Sequence, residues 1–149
     1  MAAPKRILLA EDDPRDQELT IAALSEYRLA NEILVVSDGV EALDYLHRRG
    51  RFADVPPGNP AILLLDLKMP KVDGLEVLQE IRQTPELRLL PVVMLTSSKE
   101  EADIAESYNL GASAYVVKPV DFHDFVDAVK KTGLFWAILN EPPPGTAPK

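Results

Sequence analysis

Five short runs of the chain are apolar from end to end: Ile7 to Ala10, Ile33 to Val36, Ala61 to Leu65, Pro91 to Leu95 and, more weakly, Ala114 to Val117. A strand with one face in water alternates apolar and polar residues, whereas strands buried on both faces, as in a parallel sheet covered by helices, do not. The segments between the runs carry helical spacing instead. Leu19, Ala22, Ala23 and Tyr27 form one stripe, Val40, Leu43 and Leu46 a second, and Leu75, Leu78 and Ile81 a third. Ile104, Ala105 and Tyr108 form a fourth, and Phe122, Phe125, Val126 and Val129 a fifth. Pro14 stands where it can open the first helix, Pro85 lies just past the third, and Gly111 follows the fourth as a C-terminal glycine would. Five strands alternating with five helices predict an α/β domain with a doubly wound five-stranded parallel sheet. In such folds the chemistry sits in the crevice at the carboxyl ends of the strands.

The length of 149 residues suits one such domain. With no cysteine, the chain has no disulfide framework, Cys-ligated metal or thiol nucleophile. Acidic residues outnumber basic ones 24 to 16, and the net charge of -8 argues against a general binder of nucleic acid or anionic membrane. The start, Met1 to Arg6, lacks the apolar stretch and cleavage site of a signal peptide, and the longest apolar run, Leu134 to Leu139, falls far short of the roughly 20 residues that span a bilayer. The expected location is cytoplasmic. Two regions depart from the alternating pattern: the basic and then Pro-Gly-rich connection Arg48 to Pro60, and the tail from Gly133 onward.

The residues that leave the strands are chemically complementary. The first run ends at Glu11-Asp12-Asp13, the third at Asp66, the fourth at Thr96-Ser97-Ser98 and the fifth at Lys118-Pro119. Parallel strands bring these to one edge of the sheet. Clustered carboxylates repel unless a cation compensates, and a hard divalent ion with oxygen ligands suits them. Mg²⁺ fits Asp12 and Asp66 as direct ligands, with Glu11 outside and acting through water. A carboxylate beside a metal, a lysine and a hydroxyl is also equipment for forming an acyl phosphate. Asp66 would attack, Mg²⁺ and Lys118 would each hold a phosphoryl oxygen, and Thr96 would hydrogen-bond to a third.

Each of these residues has a plainer reading when taken alone. Asp12 and Asp13 before Pro14 suit a cap on the first helix, Thr96 suits a cap on the fourth, and Lys118 suits a solvated loop. Asp66 is harder to read as a cap, because Met69-Pro70 delays the next helix. Complementary groups at four of five strand ends favour a site. His47 and His123 fall within helical segments and are read as surface residues.

The pattern resembles the receiver domain of two-component response regulators, the CheY-like family, over Lys5 to Lys131. The motifs are Leu9-Ala10-Glu11-Asp12-Asp13, Asp38-Gly39 with Glu41-Ala42-Leu43, Asp66-Leu67-Lys68-Met69-Pro70 with Asp73-Gly74-Leu75, Met94-Leu95-Thr96, Gly111-Ala112 and Tyr115-Val116-Val117-Lys118-Pro119. Their order and spacing make the set specific. The resemblance implies a flavodoxin-like (βα)5 fold in which Asp66 accepts phosphate from the phosphohistidine of a sensor histidine kinase. It implies Mg²⁺ held by Asp12, Asp66 and the main-chain carbonyl of Lys68, with Glu11 acting through water and Thr96 and Lys118 on the phosphoryl group. It further implies a switch in which Tyr115 rotates inward as Thr96 moves, read out through the face of the fourth helix, fifth strand and fifth helix. The Lys118-Pro119 bond is cis in relatives. Lys68 and Ser98 occupy positions that influence phosphoryl hydrolysis in the family. Such a chain is a phosphoacceptor that catalyses its own phosphorylation and dephosphorylation rather than an enzyme acting on a separate substrate.

Residues 132–149 are too few for a DNA-reading output module, so the expectation is a stand-alone receiver that signals through protein contact. The long Pro-rich connection and the tail ending Asn140-Glu141-Pro142-Pro143 look similar to the single-domain regulators that partner bacterial phytochromes. Within the tail, Phe135, Trp136, Ile138 and Leu139 either extend the fifth helix onto its own core or form a patch that a second copy covers, and the homodimer is the preferred reading. The main rival function is a Mg²⁺-dependent phosphohydrolase with an aspartyl nucleophile; those enzymes usually place a general acid two residues on, where this chain has Lys68. A flavodoxin-like cofactor binder would want a phosphate-cradling loop after the first strand, where Glu11-Asp12-Asp13 would repel phosphate. A receiver degenerated to a docking module would not need Asp66, Thr96 and Lys118 together.

Overall fold

The computed structural model describes residues 6–25, 33–56, 58–118, 123–124, 127–128 and 131. The chain alternates as β1 (Ile7–Ala10), α1 (Pro14–Ser25), β2 (Ile33–Val36), α2 (Gly39–His47), a 3₁₀ turn at Gly50–Phe52, β3 (Ile62–Leu65), α3 (Gly74–Gln83), β4 (Val92–Thr96), α4 (Glu101–Asn109) and β5 (Ala114–Val117). All strand pairs are parallel, in the order β2-β1-β3-β4-β5. This is the doubly wound sheet that the apolar runs predict. Alternate residues serve the two faces. Leu8, Ala10, Leu63, Leu65, Val92 and Met94 pack with Leu43 and Leu46 of α2 and Val77, Leu78 and Ile81 of α3. Ile7, Leu9, Ile62, Leu64, Val93 and Leu95 pack with Ala23 and Leu24 of α1. Every one of these strand residues is removed from water, which is why no polar residue interrupts β1, β3 or the first four positions of β4.

The register brings Ala10, Leu65, Met94 and Tyr115 side by side across four strands. The ladder continues one step further: the Glu11 amide donates to the Val36 carbonyl and the Asp66 amide to the Ala10 carbonyl, both at 3.0 Å. The exits of β1 and β3 are therefore level. β4 runs one residue further than its apolar run, so Thr96 is its last residue.

Two aspartate-glycine motifs of the sequence are structural. Asp38 caps α2, and Asp73 caps α3 in a reciprocal capping box with Glu76. Gly74 then lies so close to β3 that a Cβ there would stand 2.3 Å from the Asp66 carbonyl oxygen. The start of α3 is thereby pressed against the backbone of Asp66 itself. Gly111, at φ +100°, ends α4 in a conformation that L residues avoid, as its place in the sequence predicts.

Three helical stripes differ from expectation: in α2 Val40 is exposed while Ala42, Leu43, Tyr45 and Leu46 are buried, and α1 and α4 depart further. In α1 the buried positions are Thr20, Ala23 and Leu24, while Ala22 is exposed, because the Thr20 hydroxyl donates to the Asp16 carbonyl and hides its polarity within the helix. In α4 the buried residue is Ser107, whose hydroxyl donates to the Asp103 carbonyl; Ala105 and Tyr108 are exposed. Reading hydroxyls as surface misplaces both faces. Tyr27, the Phe122, Phe125, Val126 and Val129 stripe, the Lys118-Pro119 bond and the tail residues Phe135, Trp136, Ile138 and Leu139 lie outside the described residues.

The connection from Arg48 to Pro60 is long because it is folded. Arg48 adopts a left-handed conformation at the end of α2, and its guanidinium donates to the carbonyls of Tyr45, Pro56 and Gly58 while lying 4.6 Å over the Tyr45 ring. Phe52 is buried edge-on against the same ring. His47 is no isolated surface residue; its Nε2 meets Glu80 Oε2 at 2.7 Å and joins α2 to α3.

Candidate functional site

At the carboxyl end of the sheet, Glu11, Asp12 and Asp66 each bring a carboxylate oxygen within 4.8 Å of the others. Glu11 and Asp66 are buried and Asp12 is exposed. The plain reading of the acidic triplet divides by residue. Asp13 is the cap of α1, accepting from the Arg15 amide at 2.8 Å and, through its carbonyl, from the Gln17 amide at 3.0 Å. Asp12 is left facing the crevice mouth. Glu11 also accepts from the Asp13 amide at 3.2 Å, and the Gln17 side chain donates to the Glu11 carbonyl, so the turn from β1 into α1 is internally bonded.

Lys118 enters from the opposite side. Its amide donates to the Thr96 carbonyl at 2.7 Å, one step past the end of β5. Its ammonium donates to Glu11 Oε1, to Asp16 Oδ2 at 2.9 Å and to Asp66 Oδ2 at 3.4 Å. The side chain is only 9% exposed, so these pairs are screened little by water. Burial by itself would lower the Lys118 pKa, but the Glu11 and Asp16 carboxylates outweigh it and hold the group above the ordinary lysine range. Burial pushes Glu11 upward, Lys118 pulls it back, and neighbouring Asp66 adds to the rise. Three carboxylates, Glu11, Asp16 and Asp66, contact this one ammonium, and Asp12 stands beside Glu11 and Asp66, so acidic groups outnumber the cation. Two or more oxygen donors that are short of positive charge are the donor set of a hard divalent cation.

The third side of the crevice is the β4–α4 loop. Thr96 is buried, so it is no helix cap; the residue before α4 is Glu100. Its Oγ1 accepts from the Ser98 amide at 3.4 Å. The Ser98 carbonyl accepts from the Tyr115 hydroxyl at 3.1 Å, and the Ser98 hydroxyl donates to Asp103 at 2.6 Å. Burial, partly offset by that bond to Ser98, raises the Tyr115 pKa. Tyr115 on β5 is thus tied to the residue two beyond Thr96. Lys68 lies exposed two residues past Asp66 in the turn before α3, where Gly74 donates to the Leu67 carbonyl at 2.7 Å.

The structure therefore brings together Glu11, Asp12, Asp66 and Lys118, with Thr96 at the end of β4 and Tyr115 on β5 linked through the adjoining β4–α4 loop. It adds one residue that the strand-end reading misses. Asp16 sits in the first turn of α1, where an acid is ordinarily explained by the helix dipole, and only its contact with Lys118 reveals it.

Residues 7–130 match the sequence model of the response regulator receiver domain. The chain belongs to the response regulator receiver family. Among curated receivers it is 38% identical over 133 residues to Response regulator Rcp1 of Synechocystis sp., with 89% of each chain covered. A solved structure of Rcp1 in its Mn²⁺-bound form superposes with a TM-score of 0.88 at 37% identity, covering 94% of this chain and 99% of that one. The phosphorylated cyanobacterial phytochrome response regulator RcpA gives a TM-score of 0.89 at 38% identity, covering 95% and 99%. The bacteriophytochrome response regulator RtBRR is 60% identical with a TM-score of 0.75, covering 98% and 87%. The receiver thus resembles regulators of phytochrome-linked systems. Among the described residues no helix is long and apolar enough to cross a membrane.

Proposed function

We propose that this receiver is the phosphoacceptor of a two-component relay, in which Asp66 takes a phosphoryl group from the phosphohistidine of a sensor histidine kinase of the phytochrome type. The observation that carries the reading is the meeting of buried Asp66 with Lys118 and with the Glu11–Asp12 pair at the level exits of β1 and β3. In the transfer, an Asp66 carboxylate oxygen bonds to phosphorus, the phosphorus–nitrogen bond breaks, and the imidazole leaves with that electron pair. Asp12 and Asp66, with the Lys68 carbonyl, would hold Mg²⁺, and Glu11 would act through water; a bound Mg²⁺ supplies positive charge to the phosphoryl oxygens. Divalent binding is supported by the carboxylate set and by the likeness to Mn²⁺-bound Rcp1. Lys118 donates to a second phosphoryl oxygen and the Thr96 hydroxyl to a third.

The readout runs through the β4–α4 loop. A phosphoryl group on Asp66 draws the Thr96 hydroxyl inward, away from the Ser98 amide it now accepts from, and Tyr115 follows through its bond to the Ser98 carbonyl. The receiver then acts by protein contact, with no nucleic-acid partner, on the face carrying α4 and β5. The chain catalyses its own phosphorylation and dephosphorylation and turns over no separate substrate. It works in the cytoplasm, and its apolar tail, with Phe135, Trp136, Ile138 and Leu139, pairs two copies. The test is incubation with acetyl phosphate and Mg²⁺, followed by a search for an acid-stable, base-labile phosphoryl adduct. Label on the wild type and none on Asp66→Asn supports the reading, and equal label on both defeats it.

A further inference from the structure

Lys118 has three ammonium N–H groups and a flexible four-carbon stem, so something must choose which way they point. The three acceptors within reach are Glu11, Asp16 and Asp66, and the contact to Asp66, at 3.4 Å, is the longest. Asp16 is fixed where it stands. Pro14 opens α1, Asp13 caps it, Gln17 ties its first turn to the Glu11 carbonyl, and the Asp16 carbonyl accepts from Thr20 at 2.7 Å. Asp13 already does the capping, so helix formation does not require the Asp16 carboxylate. Its Oδ2 is instead turned to Lys118 at 2.9 Å, a close charge-assisted contact between α1 and the end of β5.

We propose that Asp16 is a positioning residue for Lys118: with Glu11 it engages two of the three ammonium N–H groups, so that the third is aimed at Asp66 and is the one left to follow a phosphoryl oxygen placed there. Asp16 touches neither phosphorus nor the attacking oxygen. It acts through Lys118 alone, and losing it lets the ammonium swing among the remaining carboxylates. The proposal rests on the phosphoacceptor reading of Asp66, and its test separates the two.

The full-length chain is compared as wild type, Asp16→Ala, Asp16→Glu, Lys118→Ala and the Asp16→Ala/Lys118→Ala double variant, with Asp16→Asn as the substitute should Asp16→Ala fail to fold. One readout needs no phosphorylation: limited acylation of amines, with the extent at Lys118 read by peptide mass spectrometry. The other is the rate of phosphoryl incorporation from acetyl phosphate at saturating Mg²⁺; in that step an Asp66 oxygen bonds to phosphorus, the bond from phosphorus to the acetyl oxygen breaks, and acetate leaves. Asp16→Ala is expected to raise Lys118 acylation several-fold and to slow incorporation by about tenfold to a hundredfold, the upper figure being what a 1 Å misplacement can cost. Asp16→Glu restores most of both, and Asp16→Ala adds no further loss to Lys118→Ala. A wild type that is phosphorylated while Asp16→Ala keeps its rate and its Lys118 protection overturns the role of Asp16 alone. A further loss on adding Asp16→Ala to Lys118→Ala, as large as Asp16→Ala causes on its own, also overturns it, because Asp16 would then act without Lys118. A wild type that takes no phosphoryl group, with Lys118 still exposed by Asp16→Ala, overturns the reading of Asp66 and leaves Asp16 holding Lys118 for no phosphoryl step.

Discussion

Asp12 and Asp13 are adjacent and chemically identical, yet the fold gives them different work. Asp13 is consumed by the amides at the start of α1, while Asp12 faces the crevice beside Glu11 and Asp66. Replacing Asp12 by alanine should therefore weaken Mg²⁺ binding by at least about tenfold, measured by titration calorimetry, with little change in thermal stability. An unaltered metal affinity would remove Asp12 from the ligand set. Most of this site was legible in the sequence, because Glu11, Asp66, Thr96 and Lys118 each follow an apolar run directly and parallel strands must deliver their ends to one edge. Asp16 was not legible. It lies inside a helical segment, and its partner Lys118 is 102 positions away, so neither local pattern nor strand-end logic connects them.

At the scale of elements, α3 shows how capping and site geometry are joined. Asp73 and Gly74 are neighbours with separable roles: the first satisfies the helix N-terminus, the second permits contact with the Asp66 backbone. Asp73→Ala should cost about 1 kcal/mol in urea denaturation and leave phosphorylation nearly unchanged. Gly74→Ala should cost about 1–3 kcal/mol, since the added Cβ collides with the Asp66 carbonyl, and should also slow phosphorylation by displacing Asp66. Equal effects of the two substitutions on the rate would show that the close approach does not position the site. The central strands β1, β3 and β4 were legible to within a residue because burial on both faces leaves them almost no polar positions, and the partly buried edge strands β2 and β5 are apolar runs as well. The faces of α1 and α4 were not, because Thr20 and Ser107 satisfy their hydroxyls on carbonyls within their own helices and so pass into the interior.

For the whole molecule, the parallel sheet and its strand-end crevice follow from the five apolar runs, and the motif set placed the chain in its family before any contact was known. The tail did not yield in the same way, since an apolar run with two aromatics suits self-packing as well as pairing. On the proposed pairing, a chain truncated after Lys131 should sediment as a monomer and the full chain as a dimer; equal masses would place the dimer elsewhere or exclude it. The central claim concerns Asp66. Full-length wild type and Asp66→Asn, incubated with acetyl phosphate and Mg²⁺, should differ by one base-labile phosphoryl group, carried only by the wild type and located at Asp66 by peptide mass spectrometry. An adduct of equal amount on Asp66→Asn, or none on the wild type, would contradict it.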